Sequence, residues 1–170
     1  DWPAEVLQEV EKLKQTMTPE KDHQLVDNII VKTQGFVSGN IKEGDEHPVQ
    51  LFRKLISLYE GVDREKLREN MKYFLEAIMP VCNQYDMFMC VHPDDPPFQI
   101  LGLPRIITCD EDISWFLHAV DDPHNGLTFC AGSLSAGERN DIVKLAWKYA
   151  DRTWFVHLRS CHVFPNGDFT

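Results

Sequence analysis

The sequence is organised around Met87-Phe-Met-Cys-Val-His-Pro-Asp-Asp-Pro-Pro97. In this stretch five apolar residues end abruptly in His92, and two carboxylates, Asp94 and Asp95, follow between prolines. An apolar run of this length predicts a fully buried strand of the kind found in parallel sheets. The prolines stiffen the loop after that strand, which suits a preorganised site.

Two later apolar runs, Leu127–Cys130 and Trp154–His157, end in the same way. The three predicted strands therefore place His92, Cys130 and His157 at their carboxyl ends. Helical patterns separate the strands, which predicts a parallel α/β fold, either a (β/α)8 barrel or a doubly wound sheet. In both folds functional residues gather at the carboxyl ends of the strands.

These three side chains form a candidate metal site. Imidazole nitrogens and a thiolate together suit Zn²⁺, Fe²⁺ or Mn²⁺, and affinity alone favours zinc. Three protein ligands and a water would leave an open catalytic position, and a fourth carboxylate ligand would suit Mn²⁺ or Fe²⁺ better. The alternative is that each is an ordinary structural residue that follows an apolar strand.

Four side chains near these ligands are candidates for substrate contact, namely Arg159, Asp94, Asp95 and Ser133. Arg159 lies two residues after the last histidine, so that both point to one face of an extended chain. Its guanidinium could bind a carboxylate through two hydrogen bonds. The aspartates could equally orient an imidazole, form a turn or cap a helix, and Ser133 could belong to a simple turn. Arg105 is a weaker candidate of the same kind.

The first part of the chain is predicted to be helical. Thr18–Pro19 has the form of an N-cap followed by a proline in the first helical position, and Pro48 opens a further helix. Residues 35–47 are predicted to form a long loop. Asp63 is predicted to cap a long helix that contains Pro80, which should kink or loosen it.

Two shorter helices are expected between the strands. Asp110 is the predicted cap of the first, and Asn140 or Asp141 is the predicted cap of the second. The segment after Cys130 is predicted to be a turn.

Composition narrows the class of protein. The chain has 170 residues, 43% of them hydrophobic, and a net charge of −10. Such an acidic surface repels phosphate backbones, which argues against a nucleic-acid partner. Five cysteines, an odd number without a CxxC pair, argue against a disulfide framework. Without a long apolar stretch or a signal pattern, the chain is expected to be soluble and cytoplasmic, with no membrane partner.

Three blocks of sequence carry a resemblance to a known family. They are His92-Pro-Asp-Asp-Pro-Pro97 together with Leu101-Gly-Leu-Pro-Arg-Ile106, Asn125-Gly-Leu-Thr-Phe-Cys-Ala-Gly-Ser-Leu134, and Phe155-Val-His-Leu-Arg159. The sequence resembles the mannonate dehydratases from about residue 61 to residue 170, and more loosely before that.

This resemblance implies part of a xylose-isomerase-like (β/α)8 TIM barrel. Such lyases dehydrate D-mannonate, a sugar acid, to 2-keto-3-deoxy-D-gluconate in glucuronate breakdown, with Mn²⁺ or Fe²⁺ as cofactor. His92, Cys130 and His157 would be the metal ligands, and Arg159 would lie near the substrate. Residues 1–60 would be a helical insertion over the barrel mouth, and residues 61–170 would be an incomplete set of βα units.

The sequence also departs from the family pattern. Ala131 replaces the usual Thr after the ligand cysteine, and the sequence lacks the Asp-His pair that ends the family's final barrel strand and supplies the fourth ligand and a catalytic histidine. The chain is therefore expected to be a central fragment whose catalytic acid and base lie outside it. Three βα units cannot close a barrel and leave strand edges exposed, so association into a homo-oligomer is also expected. The alternatives are a metal-dependent sugar isomerase or epimerase, and an inactive remnant.

Overall fold

The computed structural model describes residues 4–32 and 48–170, and the chain divides into two compact units, residues 1–60 and 61–170. The predicted loop at residues 35–47 lies outside the described residues.

The first unit is helical where it is described. Its helices are α1 (Ala4–Gln15), α2 (Pro19–Val26), which continues as a π-helical turn (Asp27–Lys32), and α3 (Pro48–Ser57). The predicted cap of α2 is confirmed, because the Thr18 hydroxyl accepts a hydrogen bond from the Lys21 backbone N–H at 3.3 Å.

The second unit alternates helices and parallel strands. Its elements are α4 (Arg64–Tyr85), β1 (Met89–Val91), α5 (Asp110–Ala119), β2 (Asn125–Cys130), α6 (Ala131–Ser135), α7 (Ile142–Lys148) and β3 (Thr153–His157). A 3-10 turn, Ala150–Arg152, leads into β3. The strands form one sheet in the order β1-β2-β3, with both pairs parallel. This confirms the predicted parallel α/β arrangement.

The register of the sheet brings the carboxyl ends of the strands to one edge. Val91 is opposite Leu127, and Cys130 is opposite His157. An irregularity between Leu127 and Thr128 shifts the pairing with β3. The residues that follow β1 and end β2 and β3 therefore lie side by side.

Burial differs sharply between the strands. All six residues of β2 are buried, and its apolar side chains pack with residues from α4 and α5, among them Leu75, Ile113 and Phe116. The prediction of fully buried strands is confirmed for β2 alone. It is wrong for β1, which is partly buried and is preceded by the exposed Met87 and Phe88, and for β3, where residues 154–157 are exposed. β3 forms an edge of the described sheet, whereas the main core lies against β2.

Most of the predicted helix starts in this unit are confirmed. Asp63 caps α4 by accepting from the Lys66 N–H at 2.8 Å, and Asp141 caps α7 by accepting from the Lys144 N–H at 3.0 Å. The prediction for α5 is displaced by one residue, because Cys109 occupies the cap position without a side-chain hydrogen bond and Asp110 begins the helix. Helix α4 continues past Pro80 to its end at Tyr85.

A buried carboxylate joins the starts of α4 and α5. Asp112 has no solvent exposure, and its Oδ1 accepts from the guanidinium groups of Arg64 and Arg68, the second at 2.7 Å. Its Oδ2 accepts from the backbone N–H and the hydroxyl of Thr108, at 2.9 and 2.6 Å. The Arg68 guanidinium also lies over the Trp115 ring, 4.7 Å from its centre. Every lone-pair direction of this carboxylate is therefore used by the fold.

Across residues 4–32 and 48–170, no helix combines the length and the apolar character needed to cross a membrane.

Candidate metal centre

Three side chains converge at the carboxyl edge of the sheet. One donor atom each from His92, Cys130 and His157 lies within 4.8 Å of the other two. Cys130 is buried, whereas both histidines are exposed. The site therefore has an inner sulfur and two nitrogen donors that face the open side.

The secondary structure fixes each of these side chains. Cys130 ends β2 and serves as the N-cap of α6, and His157 ends β3 in register with it. His157 Nδ1 lies 3.7 Å from the Cys130 sulfur. His92 follows β1, and its Nδ1 lies 2.6 Å from the Pro93 carbonyl oxygen. A backbone carbonyl in this position fixes the ring and leaves Nε2 available as a ligand.

The Cys130 sulfur is surrounded by hydrogen-bond donors. It accepts from the Ser133 hydroxyl at 3.2 Å, from the Ser133 backbone N–H at 3.5 Å and from Arg159 Nη2 at 3.3 Å. Burial alone raises the pKa of the thiol, but the hydrogen bonds from Ser133 and Arg159, with the charge of Arg159, outweigh burial and lower the pKa to about 7. A substantial fraction of thiolate is therefore present near neutral pH, and the thiolate is the form that binds metals.

Arg159 connects this cysteine to the loop after β1. Its Nη2 donates to Asp95 Oδ2 at 2.6 Å and to the Ser133 hydroxyl oxygen at 2.8 Å, in addition to the Cys130 sulfur. Burial raises the pKa of Asp95, but the hydrogen bonds from Arg159 and Ser133, with the charges of Arg159 and His92, together outweigh burial and hold that pKa below its usual range. Both side chains of the ion pair are more than 40% exposed, at 43% for Arg159 and 42% for Asp95.

Asp94 has a different environment from its neighbour. Its Oδ2 accepts from the backbone N–H groups of Ile106 and Ile107, both at 2.8 Å, and its Oδ1 lies 3.5 Å from Arg105 Nη1. These contacts tie the loop after β1 to the segment before α5. Asp94 therefore has the structural role in a turn that was one of its predicted roles, and Arg105 lies beside it as an ion-pair partner.

The hydrogen bond from the Ser133 backbone N–H to the Cys130 sulfur was not predicted from the sequence. The segment after Cys130 is the short helix α6 rather than a turn, and the Ser133 N–H is used by the Cys130 sulfur. The signal was present in the spacing, because an N-cap side chain accepts from the residue three positions later. Among the described residues, His162 is not part of the His92, Cys130 and His157 cluster. Its ring instead packs against Phe164, with the ring centres 4.8 Å apart.

The donor set fits a transition metal. Two imidazoles and a thiolate within one ion's reach of each other are borderline ligands that zinc, iron and manganese accept. The two exposed histidines leave the open side of the cluster accessible to a further ligand.

Comparison with protein families identifies the chain's relatives. The family model for D-mannonate dehydratase (UxuA) matches residues 8–170. The chain belongs to this family. The mannonate dehydratase resemblance inferred from the three sequence blocks is thereby confirmed, and it extends through the helical first unit.

Curated mannonate dehydratases show the same relationship. That of Endomicrobium trichonymphae is 46% identical over 118 residues, which are 69% of this chain and 32% of the relative. That of Thermotoga petrophila is 42% identical over 154 residues, which are 84% of this chain and 42% of the relative. The chain thus spans less than half the length of the curated mannonate dehydratases that it matches.

A solved structure supports the similarity of fold. The mannonate dehydratase of Streptococcus suis serotype 2 is similar with a TM-score of 0.64 and 37% identity, over 67% of this chain and 33% of that chain. About two thirds of this chain therefore has a fold similar to part of a solved mannonate dehydratase.

Proposed function

We propose that this chain is part of a metal-dependent mannonate dehydratase, a hydro-lyase that converts D-mannonate to 2-keto-3-deoxy-D-gluconate in glucuronate breakdown. The observation that carries the proposal is the convergence of His92, Cys130 and His157 beside Arg159 at the carboxyl edge of the sheet. Membership of the D-mannonate dehydratase family is the basis for the proposed reaction. Because the match covers only 42% of the Thermotoga petrophila relative, we infer that the parent enzyme is longer than this chain.

The proposed metal ligands are Cys130 through its sulfur, His157, and His92 through Nε2. The contact between His92 Nδ1 and the Pro93 carbonyl, together with the lowered pKa of Cys130, supports these assignments. The proposed ion is Mn²⁺ or Fe²⁺, with a fourth ligand from elsewhere in the parent enzyme. When bound, a divalent ion supplies Lewis-acid stabilisation of negative charge.

Arg159 is the proposed substrate-binding residue. Removal of the proton from C2 of mannonate, next to the carboxylate, creates an enediolate with additional negative charge, and a fixed guanidinium stabilises that charge. Within the Arg159 guanidinium, Nη2 alone has hydrogen-bond partners among the described residues, so the other guanidinium donors are available to a substrate carboxylate. Asp95 holds the guanidinium in place through a hydrogen bond with Nη2 and would border the same substrate.

The predicted substrate contacts of Asp94 and Ser133 receive less support. Asp94 is occupied by backbone N–H groups, and Ser133 is fully buried. No described residue is proposed as the general base or general acid, which we assign to the rest of the parent enzyme.

The larger architecture is proposed from the family. Residues 61–170 would be consecutive βα units of a (β/α)8 barrel, and residues 1–60 would be a helical insertion at its mouth. Further strands would cover the exposed side chains of β3. The parent enzyme is proposed to be cytoplasmic and a homo-oligomer.

The metal site is tested on the full-length parent enzyme by Cys130→Ala and His157→Ala. Each variant should lose its stoichiometric Mn²⁺, measured by elemental analysis after dialysis, because the ion is held by few protein ligands and each variant removes one of them. Cys90→Ala is the matched control, since Cys90 is a partly buried cysteine of the neighbouring strand β1 and is outside the cluster. Retention of full Mn²⁺ in both ligand variants would refute the site.

The reaction is tested by product analysis with D-mannonate. Dehydration yields a 2-keto-3-deoxy acid, whereas a sugar isomerase or epimerase would release a product with the formula of the substrate. A product of unchanged formula would refute the dehydratase assignment even if the metal site were intact.

A further inference from the structure

Ser133 occupies an unusual position between the cluster and Arg159. Its side chain is completely buried in α6, three residues after Cys130. The hydroxyl donates to the Cys130 sulfur at 3.2 Å and accepts from Arg159 Nη2 at 2.8 Å. A hydroxyl has one proton and two lone pairs, so it can make both hydrogen bonds at the same time.

The same residue contacts the sulfur a second time through its backbone. The Ser133 N–H points to the Cys130 sulfur at 3.5 Å, as an N-cap interaction of α6. Among the described residues, Ser133 therefore supplies two donors to that sulfur, and Arg159, which Ser133 also holds, supplies another. The arrangement is a closed triangle of Cys130, Ser133 and Arg159.

Gly132 allows this triangle to form. A Cβ atom at Gly132 would lie 2.6 Å from the Arg159 Cβ and 3.1 Å from its Nε. The first distance is far shorter than a van der Waals contact, so Arg159 packs directly on the backbone of α6. The position of the guanidinium is thus fixed at its base by Gly132 and near its tip by Ser133.

We propose that Ser133 is a positioning residue, which holds the Cys130 sulfur and the Arg159 guanidinium in one arrangement and does not itself contact the substrate. The inference rests on the proposed function, because it assigns Cys130 to the metal and Arg159 to the substrate. It replaces the predicted substrate contact of Ser133, whose buried hydroxyl already has protein partners for donation and acceptance.

The test uses Co²⁺ as a probe ion in the full-length parent enzyme, since thiolate coordination of Co²⁺ gives a charge-transfer band in the near ultraviolet. In Ser133→Ala the sulfur loses its hydroxyl donor but keeps the backbone N–H. The hydrogen bond lowers the energy of the sulfur electrons, so its loss should shift the band to longer wavelength. The Co²⁺ dissociation constant should rise about tenfold, as is usual when a partner of a metal ligand is removed.

Ser135→Ala is the matched control. Ser135 is a partly buried serine of the same helix, and its hydroxyl donates to the Gly132 carbonyl at 2.9 Å rather than to the cluster. It should retain the Co²⁺ band and affinity of the unaltered enzyme. A role for Ser133 limited to stabilising α6 would lower the thermal midpoint without moving the band.

The experiment distinguishes failure of the positioning role of Ser133 from failure of the proposed metal site. If the unaltered enzyme shows the band and Ser133→Ala leaves both its wavelength and the Co²⁺ affinity unchanged, the positioning role is refuted and the metal site stands. If the unaltered enzyme shows no thiolate band, the proposed metal site fails, and the positioning role fails with it.

A second variant covers the case in which Ser133→Ala does not fold. Arg159→Gln changes a side chain that is 43% exposed and removes the guanidinium from the same triangle. It should also shift the band to longer wavelength, because Arg159 donates to the sulfur directly and holds the Ser133 hydroxyl. An unchanged band in Arg159→Gln would overturn the proposed coupling.

Discussion

Asp112 and Asp95 both accept hydrogen bonds from arginine, yet the two groups have opposite surroundings. Asp112 is completely buried, and four donors from Arg64, Arg68 and Thr108 occupy both of its oxygens. Asp95 is 42% exposed and pairs with Arg159, itself 43% exposed. The first group joins two helices, whereas the second lies at the open edge of the sheet.

The difference shows how the same chemical pair serves two purposes. A buried carboxylate whose donors are complete stabilises the fold, and removal of it leaves charges without partners. A half-exposed pair contributes little to stability because water competes for both partners. The Arg159 side chain is partly exposed and its hydrogen-bond partners among the described residues all contact Nη2, which makes its guanidinium suitable for binding a ligand.

The largest effect is expected for Asp112→Ala. This change strips the guanidinium of Arg68, which is only 13% exposed, of its buried carboxylate partner. We expect a loss of about 3–5 kcal/mol in the free energy of unfolding, measured by urea titration. Asp121→Ala is the control, because Asp121 is 74% exposed and pairs with Arg152 at 3.1 Å; it should change stability by about 0–1 kcal/mol. Equal losses in both variants would remove the distinction between the buried and exposed groups.

Gly132→Ala should have an intermediate effect. The new Cβ would lie 2.6 Å from the Arg159 Cβ, so the backbone or the arginine must move. Overpacking of this kind costs about 1–3 kcal/mol, and urea unfolding measures it. The control Ser135→Ala should cost only about 1 kcal/mol, the value of one hydrogen bond. A Gly132→Ala protein with unchanged stability and activity would show that Arg159 does not need its close approach to α6.

Asp95→Asn should separate stability from activity. Because both partners of the ion pair are half-exposed, urea unfolding should show a loss of less than about 1 kcal/mol. The value of kcat/KM for D-mannonate should fall about tenfold or more, equivalent to roughly 1.4 kcal/mol, since Arg159 loses its counter-ion and orientation. A loss of stability as large as that of Asp112→Ala would instead place Asp95 among the structural carboxylates.

The smallest effect is expected at a third group, where His124 bridges two carboxylates. Its Nε2 lies 3.1 Å from Asp86 Oδ1, and its Nδ1 lies 3.2 Å from Asp122 Oδ1. The hydrogen bond to Asp86, followed by that to Asp122, raises the pKa of His124. A raised pKa in the folded state stabilises the protein below the unfolded pKa of about 6.5, and this contribution disappears as the pH rises through the folded pKa.

The thermal midpoints of the parent protein and His124→Gln should therefore differ most below about pH 6.5 and converge at higher pH. Asp86→Asn provides the control, since it removes the carboxylate that makes the largest contribution to the raised pKa of His124. In an Asp86→Asn background the effect of His124→Gln should depend less on pH. A difference for His124→Gln that grows as the pH rises would contradict the assigned direction.

Local signals explain what the sequence could predict. Apolar runs that end in His92, Cys130 and His157 indicated three parallel strands with these residues at one edge, because strand direction alone places them there. The helix caps at Thr18 and Asp63 could also be predicted, since each side chain accepts a hydrogen bond from the backbone N–H three positions later.

Long-range effects explain what the sequence could not predict. The pairing of Asp112 with Arg64 and Arg68 joins residues more than 40 positions apart, and no periodicity indicates it. Gly126 lies in β2, where a Cβ would clash with Cδ1 of Trp154 in β3, and no local pattern indicates this contact between strands. The exposure of β3 depends on which elements cover it, and its own apolar composition carries no information about that.

The order of the strands in the sheet is also their order along the chain. The three side chains of the cluster and Arg159 are therefore encoded in one uninterrupted stretch, residues 92–159. A ribosome that adds about 5–20 residues per second completes this stretch within seconds. The sulfur, both imidazoles and the guanidinium therefore leave the ribosome in one stretch, and the contacts of Cys130 with His157 and Arg159 need no residue beyond 159.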